Sequence, residues 1–178
     1  ATLAWSGMAA SVGVLVGGGL LVAVVSFLTT MVIDRLGRVL NRAGLPFFFQ
    51  QFVGGFVAAT PAITLFNFQE QLNISISPSL VIAAGVTVLL SGLSLVGSVQ
   101  DAITGAPITA SARFFEVLMM TGGIIGGVAT SLKMAAIIGY DLPLISTNPP
   151  PDIAEVPTKV LAGAMASLFY GLACYAER

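Results

Sequence analysis

The residues best suited to chemistry crowd into one short stretch, Gln100 to Glu116, which reads QDAITGAPITASARFFE. It holds two carboxylates, Asp101 and Glu116, the guanidinium of Arg113, and the hydroxyls of Thr104, Thr109 and Ser111. Carboxylates hold an ammonium group or exchange protons, and a guanidinium grips a carboxylate through paired hydrogen bonds. Arg113 and Glu116 stand three apart, so on a helix they share a face. There they either pair with each other or separate around a zwitterionic solute. Pro107 suits the first position of a helix, whose free N–H groups and positive dipole end favour an anion.

Other chemistries find no footing. Histidine is absent and Cys174 is the single cysteine, which excludes zinc sites, His-dependent triads and an intrachain disulfide. Cys174 lies in an apolar run and reads as a small buried hydrophobe. Lys133 follows Leu132 and Lys159 follows Thr158, so no Walker A loop is present and the chain is not read as an ATPase. With neither a metal-ligand set nor a nucleophile beside a base, the chain reads as a non-enzyme that takes no metal or cofactor. A net charge of −1, with the 7 Lys and Arg scattered, argues against a nucleic-acid partner.

The elements that must position these groups are apolar. The 178 residues are 56% hydrophobic and 8% charged, about a third of the charge of an ordinary soluble domain. Several segments have almost no polar face to turn to water, so the solvent they imply is a bilayer. There, Asp101, Arg113 and Glu116 would each cost about 2.5–3.5 kcal/mol facing lipid at a helix centre, together close to 10 kcal/mol. Either Gln100–Ser111 is a loop in the cytoplasm, or it dips into the membrane as broken helix around a polar cavity.

Leu3–Ile33 is an apolar run of about 30 residues, longer than the roughly 20 that span a membrane, broken by Gly17, Gly18 and Gly19. Three glycines cost about 1 kcal/mol each inside a helix. The run therefore predicts a hairpin of two helices, Leu3–Val16 and Leu20–Ile33. Asp34–Gly44 follows as a loop in which Arg35, Arg38 and Arg42, spaced by three and four, share one helical face just beyond the membrane, a basic cluster that marks the cytoplasmic side. Pro46–Phe68 is expected as the third helix, Leu80–Val99 as the fourth, Phe114–Ile138 as the fifth and Val160–Ala176 as the sixth. Gly122, Gly123, Gly126 and Gly127 give two overlapping GxxxG spacings for close helix packing. The sequon at Asn73–Ser75 and the proline-rich stretch after Tyr140 fall in external loops. Arg35, Arg38, Arg42, Arg113 and Arg178 then lie inside, and Lys133 and Lys159 outside. The expected fold is all-α: one unit over residues 1–178, a polytopic bundle of about six transmembrane helices with a polar broken segment between helices four and five. Because the chain starts beside an apolar helix without Met, it reads as a fragment or half of a longer chain.

Three segments carry a resemblance: GLPFFFQQFVGGFVAATPA, then GLSLVGSVQDAITGAPITASARFFEVLMMTGG, then the terminal CYAE. Together they resemble the threonine/serine exporter family of bacterial inner-membrane transporters. The resemblance implies efflux of L-threonine and L-serine, driven by the proton motive force without ATP. It also implies a longer chain with an N-terminal cytosolic domain and further spans, so a missing half, a partner subunit or a homo-oligomer is expected to complete the route. The residues supply a matching mechanism: Asp101 and Glu116 for proton coupling and ammonium binding, Arg113 and the Pro107 helix start for the substrate carboxylate, Thr104 or Thr109 for its hydroxyl. The rival is a membrane scaffold in which the polar stretch is only a loop.

Overall fold

The computed structural model describes residues 2–67, 78–90, 92–140 and 156–176. Among them are seven helices and no strand: α1 (Thr2–Leu15), α2 (Leu20–Arg42), α3 (Phe47–Asn67), α4 (Pro78–Leu89), α5 (Gly92–Ile103), α6 (Pro107–Ile138) and α7 (Val156–Ala176). α2, α3, α6 and α7 are each long and apolar enough to cross a membrane. The bent α4–α5 pair, its axes at 48°, makes a fifth if taken as one span. This is a polytopic helical bundle, and its solvent shows in α2. There Ser26, Thr29 and Thr30 are buried while Leu20, Val24, Leu28 and Val32, spaced by four, face outward. Polar side chains inside and apolar ones outside invert the rule for water-soluble helices.

The turns follow from four glycines at positive φ: Gly17, Gly44, Gly105 and Gly139. Each ends a helix by the same paired bonds. At Gly105, for instance, its N–H donates to Ala102 O at 3.3 Å and the Ala106 N–H donates to Asp101 O at 2.8 Å. Only a residue without Cβ takes φ +86° at no cost, and the two bonds satisfy carbonyls the helix end would leave open. Gly17 does the same between α1 and α2, so the N-terminal apolar run is the expected hairpin.

Several expected boundaries shift. Asp34–Arg42, expected as loop, is the last part of α2, because Leu36, Val39 and Leu40 continue an apolar pattern and Asp34 pairs with Arg38 one turn on. The expected fourth helix is two helices, α4 and α5. The fifth begins at Pro107 rather than Phe114, with proline at its first turn. The sequon, the polar stretch around it, most of the proline-rich stretch and Arg178 lie outside the described residues.

α3 is the central helix, with small residues on two faces. Gly54, Ala58 and Ala62 meet α4, where Leu89, Gly85 and Val81 lie opposite in reverse order. Gly55, Ala59 and Ile63 meet α6. Against α6 the contact is backbone to backbone. A Cβ built on Gly123 would stand 2.7 Å from Phe48 O, and one on Gly127 would run into Phe52 O. Further along, Thr60 Oγ1 lies 3.4 Å from Ser131 Oγ. The pairs ascend together, so α3 and α6 run parallel. Gly126 meets only the Phe52 ring, and Gly122 has nothing within 4 Å.

These registers align the ends of the bundle. α1 runs back along α2, with Gly13 against Ser26 and Thr2 beside Arg38. α7 runs back along α1, with Leu15 against Gly163 and the rings of Trp5 and Tyr170 edge to face at 5.9 Å. Arg35, Arg38, Arg42 and Arg113 therefore share one end, and Lys133 and Lys159 lie toward the other. Since Gly123 sits level with Phe48, about fifteen residues of α6 extend past the start of α3, an overhang of about 22 Å. α5 folds back along that overhang.

Gly127→Ala is expected to lose about 1–3 kcal/mol, because the obstructing atom is a backbone carbonyl that cannot swing away. Gly122→Ala, with open space beside it, is expected to gain about 1 kcal/mol from helix propensity. Thermal unfolding of the two variants in detergent should shift the melting temperature in opposite directions.

Candidate functional site

The Gln100–Glu116 stretch is a helical hairpin with a three-residue corner, Thr104–Ala106, between α5 and α6. The corner brings Asp101, in the last turn of α5, against Arg113, in the second turn of α6, with Arg113 Nη1 2.9 Å from Asp101 Oδ2. Both are pinned by local structure. Asp101 O closes the Gly105 turn, and the Arg113 guanidinium lies along Gly97, where a Cβ would come within 3.0 Å of it. Their side chains are 24% and 48% exposed. The contact is ionic without hydrogen-bond alignment, since Asp101 Oδ2 is buried yet accepts no hydrogen bond.

The other residues of the stretch divide. Thr104 Oγ1 donates to Gln100 O at 3.0 Å and Asp101 O at 3.2 Å, so its hydroxyl is already engaged. Ser111 Oγ donates to Pro107 O at 2.7 Å. Pro107 occupies the start of α6, where Ala106 supplies no side-chain cap. Thr109 and Glu116 are exposed. Arg113 is paired with Asp101, twelve residues back across the corner, rather than with Glu116 three residues on. Spacing along one helix favours the local pair, but the tight turn brings Asp101 closer.

A second polar group lies at the same end of the bundle, deeper between the helices. A cavity of about 410 Å³ opens between α1, α2, α3 and α4. Its polar lining includes Thr30, Asp34 and Arg38 on α2 and Gln51 on α3, and Trp5 and Leu89 are among its apolar walls. Arg38 Nη2 is 2.8 Å from Asp34 Oδ2 and donates to Thr2 Oγ1 at 2.7 Å. Thr30 is 1% exposed and its Oγ1 has no hydrogen-bond partner; Gln51 Oε1 is buried and likewise unpaired. Leaving such groups unpaired costs about 1–3 kcal/mol each. Ser26 Oγ, also unpaired, lies against Gly13 instead. Sequence reasoning missed this cluster because Asp34 and Arg38 read as a surface loop. The signal that could have found it is Thr30-x3-Asp34-x3-Arg38, one polar stripe at helical spacing leading out of an apolar span.

The comparisons bear on what such a bundle does. Residues 1–135 match the family model for threonine/serine exporters. The chain is 42% identical over 177 residues to a threonine/serine exporter of Corynebacterium glutamicum, covering 99% of this chain and 36% of that protein. It is also 42% identical over 144 residues to a probable threonine/serine exporter of Mycobacterium tuberculosis, covering 81% of this chain and 26% of that protein. The chain thus spans about a third or less of the length of these relatives. No solved structure matches it.

The corner pair is too exposed and too poorly aligned to hold the fold. A double-mutant cycle of Asp101→Asn and Arg113→Gln, read by thermal unfolding, is expected to give a coupling of about 0.2–1 kcal/mol. A coupling above about 3 kcal/mol would instead mark the pair as a buried structural clamp.

Proposed function

This chain belongs to the threonine/serine exporter family, and on that premise we propose that it forms a membrane unit of a secondary transporter. The transporter exports L-threonine and L-serine across the bacterial inner membrane by proton antiport. The observation that carries this reading is the Asp101–Arg113 ion pair at the α5–α6 corner. A carboxylate in contact with a guanidinium is a two-position switch: a proton on Asp101 cancels the attraction and frees Arg113 for another anion. The carboxylate of an amino acid is such an anion. Asp101 then couples the proton, with Glu116 as the second carboxylate, and Arg113 with the Pro107 helix start receives the substrate carboxylate. Thr109 is the better hydroxyl reader of the two threonines, because Thr104 is engaged by its own helix.

The family membership and the apolar spans make this a multi-pass membrane protein. The end that gathers Arg35, Arg38, Arg42 and Arg113 is taken as cytoplasmic, by the excess of arginine that marks that side. Substrate bound for export enters there. One charge moved through 100 mV is worth about 2.3 kcal/mol, a gradient of about 50-fold, so the proton motive force suffices without ATP. Residues 1–178 work as one membrane unit, and the rest of the route comes from further sequence of a longer chain, a partner subunit or a second copy.

In liposomes with an imposed pH gradient, wild type is expected to move labelled threonine with the gradient. Asp101→Asn should uncouple that flux from pH, lowering gradient-driven transport by tenfold or more, and Glu116→Gln should lower it less. Gradient-driven transport intact in Asp101→Asn would remove the coupling role. No movement by wild type would leave a membrane scaffold as the better description.

A further inference from the structure

We propose that the cavity between α1, α2, α3 and α4 is a binding site for a small zwitterionic amino acid, separate from the corner at Asp101. Its charges are arranged for one. Asp34 and Arg38 stand one helical turn apart on the same wall, with opposite charges 2.8 Å from each other. An α-amino acid carries its ammonium and carboxylate on one and the same carbon. Entering between the two side chains, it replaces their mutual contact with one to each: ammonium to Asp34, carboxylate to Arg38. The guanidinium is already oriented from α1 by its hydrogen bond to Thr2, and with five N–H donors it keeps others for a ligand.

A salt bridge between positions i and i+4 near a helix end is common and by itself needs no ligand. The two unpaired groups are what it leaves unexplained. Thr30 lies one turn deeper than Asp34 on the same stripe, almost wholly buried, with its hydroxyl unpartnered. Gln51 belongs to a different helix and lines the same space, and its Oε1 is buried without a hydrogen bond. Two orphaned polar groups on residues that line one cavity suit a ligand that carries a hydroxyl beyond its zwitterionic head. The rest of the lining, apolar at Ile33, Val88 and Leu89 and polar but uncharged at Asn41 and Gln50, offers no charge to a second charge on the ligand. At about 410 Å³ the cavity falls in the lower part of the roughly 300–1,000 Å³ range of small-molecule sites. The inference rests on the export reading only for the choice of threonine as probe.

The experiment uses the full chain in lipid nanodiscs with labelled L-threonine, and L-alanine as the competitor lacking a hydroxyl. Asp34→Asn and Arg38→Gln are each expected to weaken threonine binding at least tenfold. Thr30→Val should weaken threonine about tenfold while leaving alanine within twofold, and Thr30→Ser should restore threonine. Threonine affinity unchanged in both charge variants overturns the proposal, and equal losses for threonine and alanine in Thr30→Val overturn the hydroxyl-reading role. A second measurement does not depend on those variants folding. Gly37 lines the cavity and has nothing within 4 Å of where a Cβ would stand, so Gly37→Cys in a Cys174→Ala background keeps the site intact. Threonine should slow maleimide labelling of that position at least fivefold. If liposomes transport threonine but labelling is unprotected, the cavity assignment falls and the export reading stands. If wild type neither binds nor moves threonine, both fall.

Discussion

Everything in this bundle is referred to the seam where Gly123 and Gly127 of α6 lie against the carbonyls of Phe48 and Phe52. Between helices in lipid there is little hydrophobic force to gather, because the tails are as apolar as leucine. Association depends on how closely two backbones approach, and side chains larger than hydrogen forbid it here. The series continues with Ser131 and Ala135 against Thr60, Ala59 and Ile63, so a stripe of small residues sets the register of the two helices as well as their distance. α4 is then packed on the other small face of α3, and α2 is tied to α3 by the turn at Gly44. The alignment of the arginines at one end follows from these registers.

Polar chemistry is concentrated at that end, at two depths. Near the tip of the α5–α6 hairpin, Asp101 and Arg113 meet beyond the start of α3, partly exposed. Further in, Asp34 and Arg38 head a stripe that leads down to Thr30 between four helices. Each is a carboxylate and a guanidinium within 2.9 Å, but the surroundings differ. The outer pair is partly exposed and suits groups that exchange protons with water and meet a substrate carboxylate at the corner. The inner pair borders a cavity with unpaired polar atoms and suits a group that holds a solute.

Much of this was legible in residue types and spacing. Apolar run length located most of the helices and the Gly17–Gly19 interruption located the hairpin, while Pro107 suited a helix start although the fifth helix was expected only from Phe114. The paired glycines named the stripe at Gly123 and Gly127, although spacing alone could not tell that Gly122 faces open space. What stayed hidden depended on three dimensions. Asp34–Arg42 looked like a loop because charge density ends a hydropathy window, whereas hydrogen bonding and the Asp34–Arg38 pair carry the helix onward. The division of α4 from α5 left no proline in the sequence to announce it. Arg113 meets Asp101 because a turn folds twelve residues back on themselves, which a rule based on helical spacing does not see. The cavity is contributed by four separate helices, and no linear pattern joins Trp5, Thr30, Gln51 and Leu89.

The overhang of α6 also makes it a lever. α6 is one continuous helix of 32 residues, clamped to α3 over its second half and free of it over its first. A rocking of about 10° about the clamp would sweep the Thr104–Ala106 tip, about 25 Å away, through about 4 Å. That exceeds the length of a hydrogen bond, while glycine contacts at the fulcrum shift by a small fraction of it. The stiffness that two touching backbones give the seam is thus what permits amplitude at the tip, and the corner charges ride on the long arm.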